Sequence, residues 1–578
     1  MSLRPSKRPA ETTQASGYAL LMDSLDDEHA LSVVQGALSA AREVGERIVC
    51  VPGGRVDAAD PALRLRNFAF DLVSQENALG ALVLSSALGN AVGPVRLGEW
   101  LARYAPLPLV CMGVAIRGQV SARVDNGDGI REAVRHLVKV HGKRNIGFIR
   151  GPSQSDEAED RYAAYRAELT EFGIEHDPRW VAEGDYHRPS GAQAVRTILD
   201  QRRVSVHALD ALVCANDYMA LGALDELTKR GINVPEQVAL TGFDDVASAA
   251  VSRPALTTVR QPAAELGRTG IKQLLLLAGG GEPTAEQVLA VELKVRRSCG
   301  CANMDAGLAE RVHASAGAGS FEAALVQRRQ LMVAEMARAA HGSFGAAGQD
   351  WESGLLGALL EELCEQKYGA LGRRTQRLLQ RLEQAGSDVT ATPFVLSALR
   401  RQALPCVAGS PEARDCLEDA IHDAQLVASA VLAQAAAALV RAPARRFRAL
   451  ATQVQTLMFG QDSQLSRALA EHLPSMGVDA CVVASLDPHT GPKWQGQMHF
   501  GFGPGRRDVE HRRIELSTLQ NHPLLEHSRT LFLMPITMQS ERLGVALISM
   551  SSVRGELLED LRELFATVLK VAQQREHG

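Results

Sequence analysis

Residues 211–262 read ALVCANDYMALGALDELTKRGINVPEQVALTGFDDVASAAVSRPALTTVRQP, and this stretch decides the fold. Residues 211–214 form an apolar run without polar alternation, the pattern of a strand buried on both faces. Asn216 and Asp217 follow as a turn and cap, with Asp217 placed to accept hydrogen bonds from the first free amides of a helix. That helix is predicted to run to about Arg230, with Met219, Leu221, Leu224 and Leu227 apolar, and to stop at a left-handed Gly231. Pro235 starts the return. Residues 238–242 supply a second buried strand, and Phe243-Asp244-Asp245 leaves its carboxyl end. Such a unit, with polar residues at both strand ends, predicts an open parallel α/β sheet with a ligand at those ends.

Outward from this unit the rhythm recurs. Residues 18–22, 47–51, 81–85 and 109–113 read as strands, with helices over about 29–44 and 61–78. Repeated β–α units predict a doubly wound parallel sheet with right-handed crossovers. The segments CANDYMALGAL (214–224), VPEQVALTGFDDVASA (234–249) and RPALTTVRQPAAELG (253–267), in that order, resemble the sensor core of the LacI/GalR family, itself similar to periplasmic sugar-binding proteins. Residues 123–150 extend the resemblance: an Asp-Asn pair opens a helix, His-Leu sits near its end, and a basic turn precedes a strand. The family's Gly-His in that turn is inverted here to His141-Gly142, an order also found in relatives that sense ligands without binding DNA. Residues 151–169 and the closing strand over 287–298 complete the match.

The resemblance implies a two-lobed sensor over residues 17–298 with three crossings, near residues 142, 259–261 and 284. The N-lobe is then 17–142 with 262–284, and the C-lobe 143–259 with 285–298. It implies a ligand cleft with Asp128 from the N-lobe and Arg161, Asn216 and Asp244 from the C-lobe. Carboxylates and an amide suit vicinal hydroxyls, and a guanidinium is a two-pronged donor. The plainer alternative makes Asp128 and Asn216 helix caps and Asp244 a turn former. Asp245 is expected to brace its loop. Asp23 and Asp26, after the first strand, are further candidates for the same cleft, or merely a solvated turn.

At 578 residues the chain exceeds one domain. A net charge of -5 gives no basic signature for nucleic acid. No apolar run reaches bilayer length, so no membrane role is expected. Residues 1–16 lack the apolar segment of a secretory signal and read as disordered. DNA-binding members of the resembled family place a helix-turn-helix before the sensor, and no recognition helix fits in those residues. Nine scattered cysteines suggest reduced thiols and a cytoplasmic protein. Cys299-Gly300-Cys301 has no second ligand pair at a suitable spacing, so neither a metal nor a cofactor is expected.

Residues 299–320 are small and Gly/Ala-rich and read as a linker. Residues 321–443 change character to leucine-rich helices punctuated by prolines, a helical connector. Arg373, Arg374, Arg377 and Arg381 form a stripe there, expected to be a solvated face. Alternation returns over 444–578. LFLMPITMQSERLGVALISM (531–550) resembles the closing hairpin of GAF-type sensor domains, which implies a GAF-like α+β domain. His499, His511, His522 and His527 lack a fixed spacing and read as surface or core residues. Leu558, Leu561, Phe565 and Val568 follow three-four spacing, either a helix packed on its own domain or a short dimer seam.

A phosphate loop, a kinase or cyclase motif, HExxH and GxSxG are absent, so no enzyme is expected. The chain reads as a cytoplasmic, dimeric ligand sensor for a small sugar- or nucleoside-like effector, acting through a protein partner with weak DNA binding. The alternative is a transcription regulator of the same family acting on DNA through an unrecognised segment.

Overall fold

The computed structural model describes residues 17–301, 321–340, 344, 348, 350–384, 389, 391–457, 462–487, 494–504, 506–508, 513–550 and 553–577. The expected disordered N-terminus and most of the expected linker lie outside them. The chain divides into two compact units: one holds the residues up to Asn303 and those from Arg446 onward, the other residues 304–445.

In the first unit, apolar runs with no polar alternation become strands covered on both faces. The N-lobe strands are β1 (Tyr18–Met22), β2 (Ile48–Pro52), β3 (Ala81–Leu84), β4 (Leu109–Met112) and β5 (Val120–Val124). The C-lobe strands are β6 (Ile146–Arg150), β7 (Val181–Glu183), β8 (Ala211–Cys214), β9 (Ala239–Asp244) and β10 (Thr257–Arg260). The chain then returns through β11 (Glu286–Leu289) to the N-lobe sheet and through β12 (Glu292–Lys294) to the C-lobe sheet. The C-lobe order is β12-β10-β9-β8-β6-β7, and all its pairs are parallel except β10–β12. The N-lobe order is β11-β5-β4-β3-β1-β2, all parallel.

Two crossings differ from the expectation. The Asn126–His141 helix buries Ile130, Ala133, Val134 and Leu137 in the C-lobe core, so the first crossing lies at Asp125, not near Gly142. The third lies at Ala290–Val291, between β11 and β12, rather than near Thr284. The second lies at Gln261 and Pro262, between β10 and the Ala263–Ala278 helix. The helix expected over 61–78 is instead a short helix, Pro61–Leu65, followed by a 3-10 turn, Arg66–Leu72.

The N-lobe sheet does not end at β2. Its edge pairs in parallel with β17 (Thr530–Met538), in the register Thr530↔Ile48, Leu531↔Val49, Phe532↔Cys50. From there an antiparallel run continues through β18 (Glu541–Met550), β13 (Val478–Leu486), β14 (Gln495–Gly503) and β15 (Arg506–Asp508); β16 (Arg513–Glu515) also pairs with β14. The pleat runs through the seam. Leu20, Met22, Ile48, Cys50, Phe532 and Met534 share one core, while Ala19, Leu21, Val49, Val51, Leu531 and Leu533 share the core on the other face. Residues 444–578 were expected to form a domain of their own; instead those from Arg446 share a compact unit with the residues up to Asn303. Arg47 fastens the seam by donating to the carbonyls of Gln520, Leu525 and Glu526 at 3.1, 3.3 and 2.8 Å. The Gly555–His577 helix packs on this sheet, and Leu558, Leu561, Phe565 and Val568 are buried in the shared core. Those four side chains are therefore not an exposed dimer seam.

The second unit is helical: Phe321–Gln327, Arg329–Ala339, Trp351–Glu365, Ala370–Gln384, Thr392–Ala403 and the start of Pro411–Leu457. Leu355, Leu356, Leu359 and Leu363 meet Leu371, Leu378, Leu379 and Leu382 in one core. Arg373, Arg377 and Arg381 are exposed, and Arg377 and Arg381 donate to carbonyls of their own helix, as a solvated face does.

Candidate functional site

The carboxyl ends of β1, β6, β7, β8 and β9 carry polar loops into the cleft between the lobes, each leading to a helix N-terminus. Asp27 caps Glu28–Glu43, Ser155 caps Asp156–Glu171 and Asn216 caps Asp217–Lys229. Free amides at such termini favour polar or anionic ligands.

Arg161 lies at the centre and is 3% exposed. Its Nε donates to Asn126 Oδ1 at 2.9 Å and its Nη1 to the Ala215 carbonyl at 2.6 Å. Its guanidinium carbon lies 3.8 Å from the centre of the Phe243 ring, a desolvated cation–π contact. Two of its three nitrogens are thus engaged by the protein. Asp244 accepts from Gln261 Nε2 at 2.6 Å. Burial raises its pKa to about 7, against the lowering pull of Arg161, with Asp27 adding to the rise. Its φ of 122° and the φ of 61° at Asp245 are left-handed values that cost an L-residue about 1–3 kcal/mol each. The turn persists because its carboxylates are tied: Asp245 binds Arg260 at 2.5 Å and Arg296 at 2.6 Å.

Both central groups are wired to a crossing. Asn126, which holds Arg161, directly follows the first crossing, and Gln261, which holds Asp244, is the second.

Of the four residues implied by the resemblance, Arg161, Asn216 and Asp244 converge. Asn216 has both ends occupied, accepting from the Met219 amide at 2.9 Å and donating to the Tyr186 carbonyl at 3.0 Å. It shapes the site as a cap. Asp128 does not join them. It is exposed on the C-lobe helix and pairs with Arg131 on the same helix, Nη2 to Oδ1 3.4 Å. Its helix belongs to the C-lobe, so the N-lobe origin expected for it is also corrected. Asp217 is not the cap it was taken for. It is fully buried, accepting from Thr258 Oγ1 at 2.5 Å and the Val246 amide at 3.0 Å, and burial followed by the Asp244 charge pushes its carboxyl upward.

On the N-lobe side Asp23 pairs with Arg55 at 3.4 Å, and burial raises its carboxyl. Arg55 Nη2 in turn lies 3.4 Å from His187 Nε2 of the C-lobe. Glu28 accepts from the Ala247 amide of the C-lobe at 2.8 Å. Asp26 faces elsewhere. It is exposed, and beyond burial its carboxyl is raised by Glu559 and lowered by Arg66 and Arg562, of which Glu559 and Arg562 lie on the terminal helix.

The sequence reading missed His29, Asn90, Asn126, Tyr186, Tyr218 and Gln261. Burial lowers the pKa of His29, which stands among Asp27, Glu157 and Arg161. Tyr186 has φ 69° and its hydroxyl lies 3.4 Å from Ser155 Oγ; burial raises its pKa to about 12. Asn90 lines a small cavity with Ser85, Ser155 and Asp156, and its buried Oδ1 has no partner among the described residues. Only Asn126 and Gln261 carried a readable signal, as the residues beside a cap and at a crossing.

A second polar cluster lies at the far end of the Asn126–His141 helix. The expectation that Cys299 and Cys301 lack a second ligand pair does not hold in space: His136 and His141 stand against them. Elsewhere, His499 bonds Ser485 at 2.9 Å and His522 accepts from the Leu524 amide at 3.3 Å, both as packed polar residues; His527 is exposed, and His511 lies outside the described residues.

A family model described as a periplasmic binding protein-like domain matches residues 134–299. The HTH-type transcriptional repressor PurR of several Escherichia coli strains is 34% identical over 207 residues, covering 35% of this chain and 58% of the repressor. The chain thus spans less than two thirds of the length of these relatives. Among solved structures, a transcriptional regulator CelR–cellobiose complex is 28% identical with a TM-score of 0.43, covering 50% of this chain and 85% of that one. A lac repressor dimer bound to operator and the anti-inducer ONPF is 26% identical with a TM-score of 0.42, covering 49% and 94%.

Proposed function

We propose that this protein is a cytoplasmic ligand-sensing regulator that binds a small sugar- or nucleoside-like effector between its lobes. Residues 134–299 are a periplasmic-binding-protein-like domain, and the arrangement of the cleft supports the rest. The observation that carries the reading is the wiring of Arg161 through Asn126, and of Asp244 through Gln261, to two lobe crossings. A ligand that engages the third nitrogen of Arg161 and the Asp244 carboxyl acts on the hinge directly. The orphaned Asn90 acceptor asks for a donor, as a hydroxyl or ring N–H supplies. Tyr186 and Tyr218 are partly exposed and offer aromatic surface, while the Phe243 ring is buried beneath Arg161. Only the difference in affinity between open and closed lobes drives the change.

The likeness to a transcriptional repressor favours an output in transcription. The net charge of -5 favours reaching DNA through a partner rather than by direct contact. A terminal module continuous with the N-lobe sheet supports a protein-contact output, and its antiparallel β14-β13-β18-β17 sheet with flanking helices suits the GAF-like reading. We further propose a homodimer, and a binding protein rather than an enzyme.

A thermal-shift screen of sugars, nucleosides and nucleobases tests the reading. At a hundred times Kd a ligand stabilises by about 2.7 kcal/mol, several degrees for a domain of this size. Asp244→Asn and Arg161→Lys should each weaken the hit at least about thirtyfold, since breaking a desolvated charged contact costs about 2–5 kcal/mol. Unchanged affinity in both variants removes the site. Gel shifts on genomic fragments address the output: sequence-selective retention below micromolar at physiological salt overturns the protein-contact reading in favour of direct DNA control.

A further inference from the structure

We propose that His136, His141, Cys299 and Cys301 form a structural zinc site that ties the last turn of the sensor to the end of its Asn126–His141 helix. All four ligand atoms lie within 4.8 Å of one another. Cys299 Sγ is 3.4 Å from His136 Nε2, and Cys301 Sγ is 3.5 Å from His136 Nε2 and 3.3 Å from His141 Nε2. With Zn–S of about 2.3 Å and Zn–N of about 2.0–2.1 Å at tetrahedral angles, adjacent sulfur and nitrogen ligands stand about 3.5 Å apart. These three separations match those of adjacent ligands in a tetrahedral two-sulfur, two-nitrogen shell, and the remaining pairs lie within 4.8 Å.

Thiol–imidazole hydrogen bonding accounts for the cluster less well. Cys301 Sγ faces two imidazole nitrogens and as a thiol could donate to one and accept only weakly from the other. His136 Nε2 faces two sulfurs, and one ring nitrogen serves one of them. Four groups converging on one point are what a cation organises. Their softness selects zinc among the common divalent ions. Four protein ligands fill the tetrahedron, which is the mark of a structural site rather than a catalytic one.

The local fold is built for this convergence. Gly300 separates the cysteines with φ 110°, a left-handed value that suits glycine. A Cβ there would stand 3.1 Å from His141 Nδ1, so a side chain at this position is doubly disfavoured. Cys299 is buried, while the other three are half-buried, close enough to the surface for an ion to enter. All nine cysteines are free thiols, so Cys299 and Cys301 are available as ligands. The sequence hid the site because its halves are far apart in the chain, a His-x4-His at a helix end and a Cys-x-Cys beyond the last strand.

The consequence concerns the sensor. The helix whose first residue, Asn126, holds Arg161 in the cleft would have its other end fixed by the metal. Zinc would thus pin the C-lobe segment through which the first crossing bends.

The test uses full-length protein, purified without a polyhistidine tag under reducing conditions. Elemental analysis should find one zinc per chain that survives dialysis. Cobalt reconstitution should give the intense visible d–d bands of a four-coordinate site and thiolate charge transfer in the near ultraviolet. His141→Ala and Cys301→Ser should each bind zinc at least about a hundredfold more weakly, since loss of a mere outer-shell partner already costs 10–100-fold. Cys364→Ser, an exposed thiol on the helical unit, should change nothing. Should the variants fold poorly, thiol titration of the wild type decides: chelator should expose two further reactive thiols and lower the melting temperature. Wild-type protein that does not retain zinc, zinc held equally by wild type and both variants, or a Cys299–Cys301 disulfide in the reduced preparation each overturns the proposal.

Discussion

The two lobes share one β–α plan and differ at their sheet edges. The C-lobe sheet has six strands drawn wholly from the sensor, and its core is a separate cluster running from Ile130 to Cys299. The N-lobe sheet has twelve because β2 pairs with β17, and both of its cores mix sensor and terminal-module residues. An unpaired edge strand invites another chain, and here the protein covers that edge with its own terminal module. The lesson is mechanical. Under the proposed effector reading, lobe closure would move the C-lobe against an N-lobe weighted by a second module, with β1, β2 and the loop after β1 in contact with that module. Leu25 of that loop already lies against Gly555 at the start of the terminal helix; a Cβ on Gly555 would stand 1.9 Å from the Leu25 carbonyl oxygen.

Cutting each core in turn gives the largest contrast. Phe532 and Phe148 are both fully buried, the first at the seam and the second in the C-lobe, stacked 4.8 Å from Tyr165. Each change to alanine should cost about 3–5 kcal/mol. They should differ in where protection is lost. By hydrogen exchange, Phe532→Ala should speed exchange in β1, β2 and β17 together and leave β8 and β9 as they were. Phe148→Ala should do the reverse. Unaltered protection of β2 in Phe532→Ala would show that the seam does not hold the N-lobe edge.

A smaller contrast comes from protons. Burial raises Asp244 to about 7 and Asp217 well above the ordinary carboxylate value, and both belong to the C-lobe. A group with a raised pKa keeps its proton in the folded state after the unfolded chain has lost it. Its contribution is therefore full below the ordinary value near 4 and shrinks as pH rises toward 7, by at most about 1.4 kcal/mol per unit. Urea unfolding followed by C-lobe fluorescence, Trp180 being its reporter, should show stability falling between pH 5 and 7. Asp244→Asn should flatten the slope over that window and leave Asp217 to supply the remainder. A slope identical in the variant would mean that Asp244 is ionised in the folded protein throughout.

How far the sequence could be read follows the same division. The strands over 18–22 and 211–214 stand within a residue of their reading because an apolar run needs no partner to be recognised. The helix from Asp217 and its left-handed stop at Gly231, φ 71°, were equally local. Parallel pairing between β2 and β17 joins residues more than four hundred and eighty apart, and neither strand's composition announces the other. The positions of Arg161 and Asp244 near the strand ends were legible, because each lies within one local motif. Position was not legible where it depends on which lobe a helix joins. The amphipathic pattern of residues 126–141 says that the helix is buried on one face, not against which sheet, and so Asp128 was placed in the wrong lobe.

That misplacement supplies the finest test of the comparison, because Asn126 and Asp128 share one helical turn. Asn126 is 2% exposed and accepts from Arg161, a buried cation that loses a partner if the amide is removed. Hydrogen bonds to charged groups contribute about 1.5–3 kcal/mol, so Asn126→Ala should destabilise the C-lobe by that amount and weaken effector binding, because Arg161 is no longer held. Asp128 is exposed, and its pairing with Arg131 at 3.4 Å is a surface contact within one helix. Such pairs contribute about 0.3–0.5 kcal/mol, and Asp128→Ala should fall within about 0.5 kcal/mol of wild type in unfolding, with unchanged effector affinity by calorimetry. A binding loss for Asp128→Ala as large as that for Asn126→Ala would return Asp128 to the ligand and require the lobes to close further than they do here. The opposite result leaves recognition to the buried Asn126–Arg161 pair, at the point where the chain crosses between lobes.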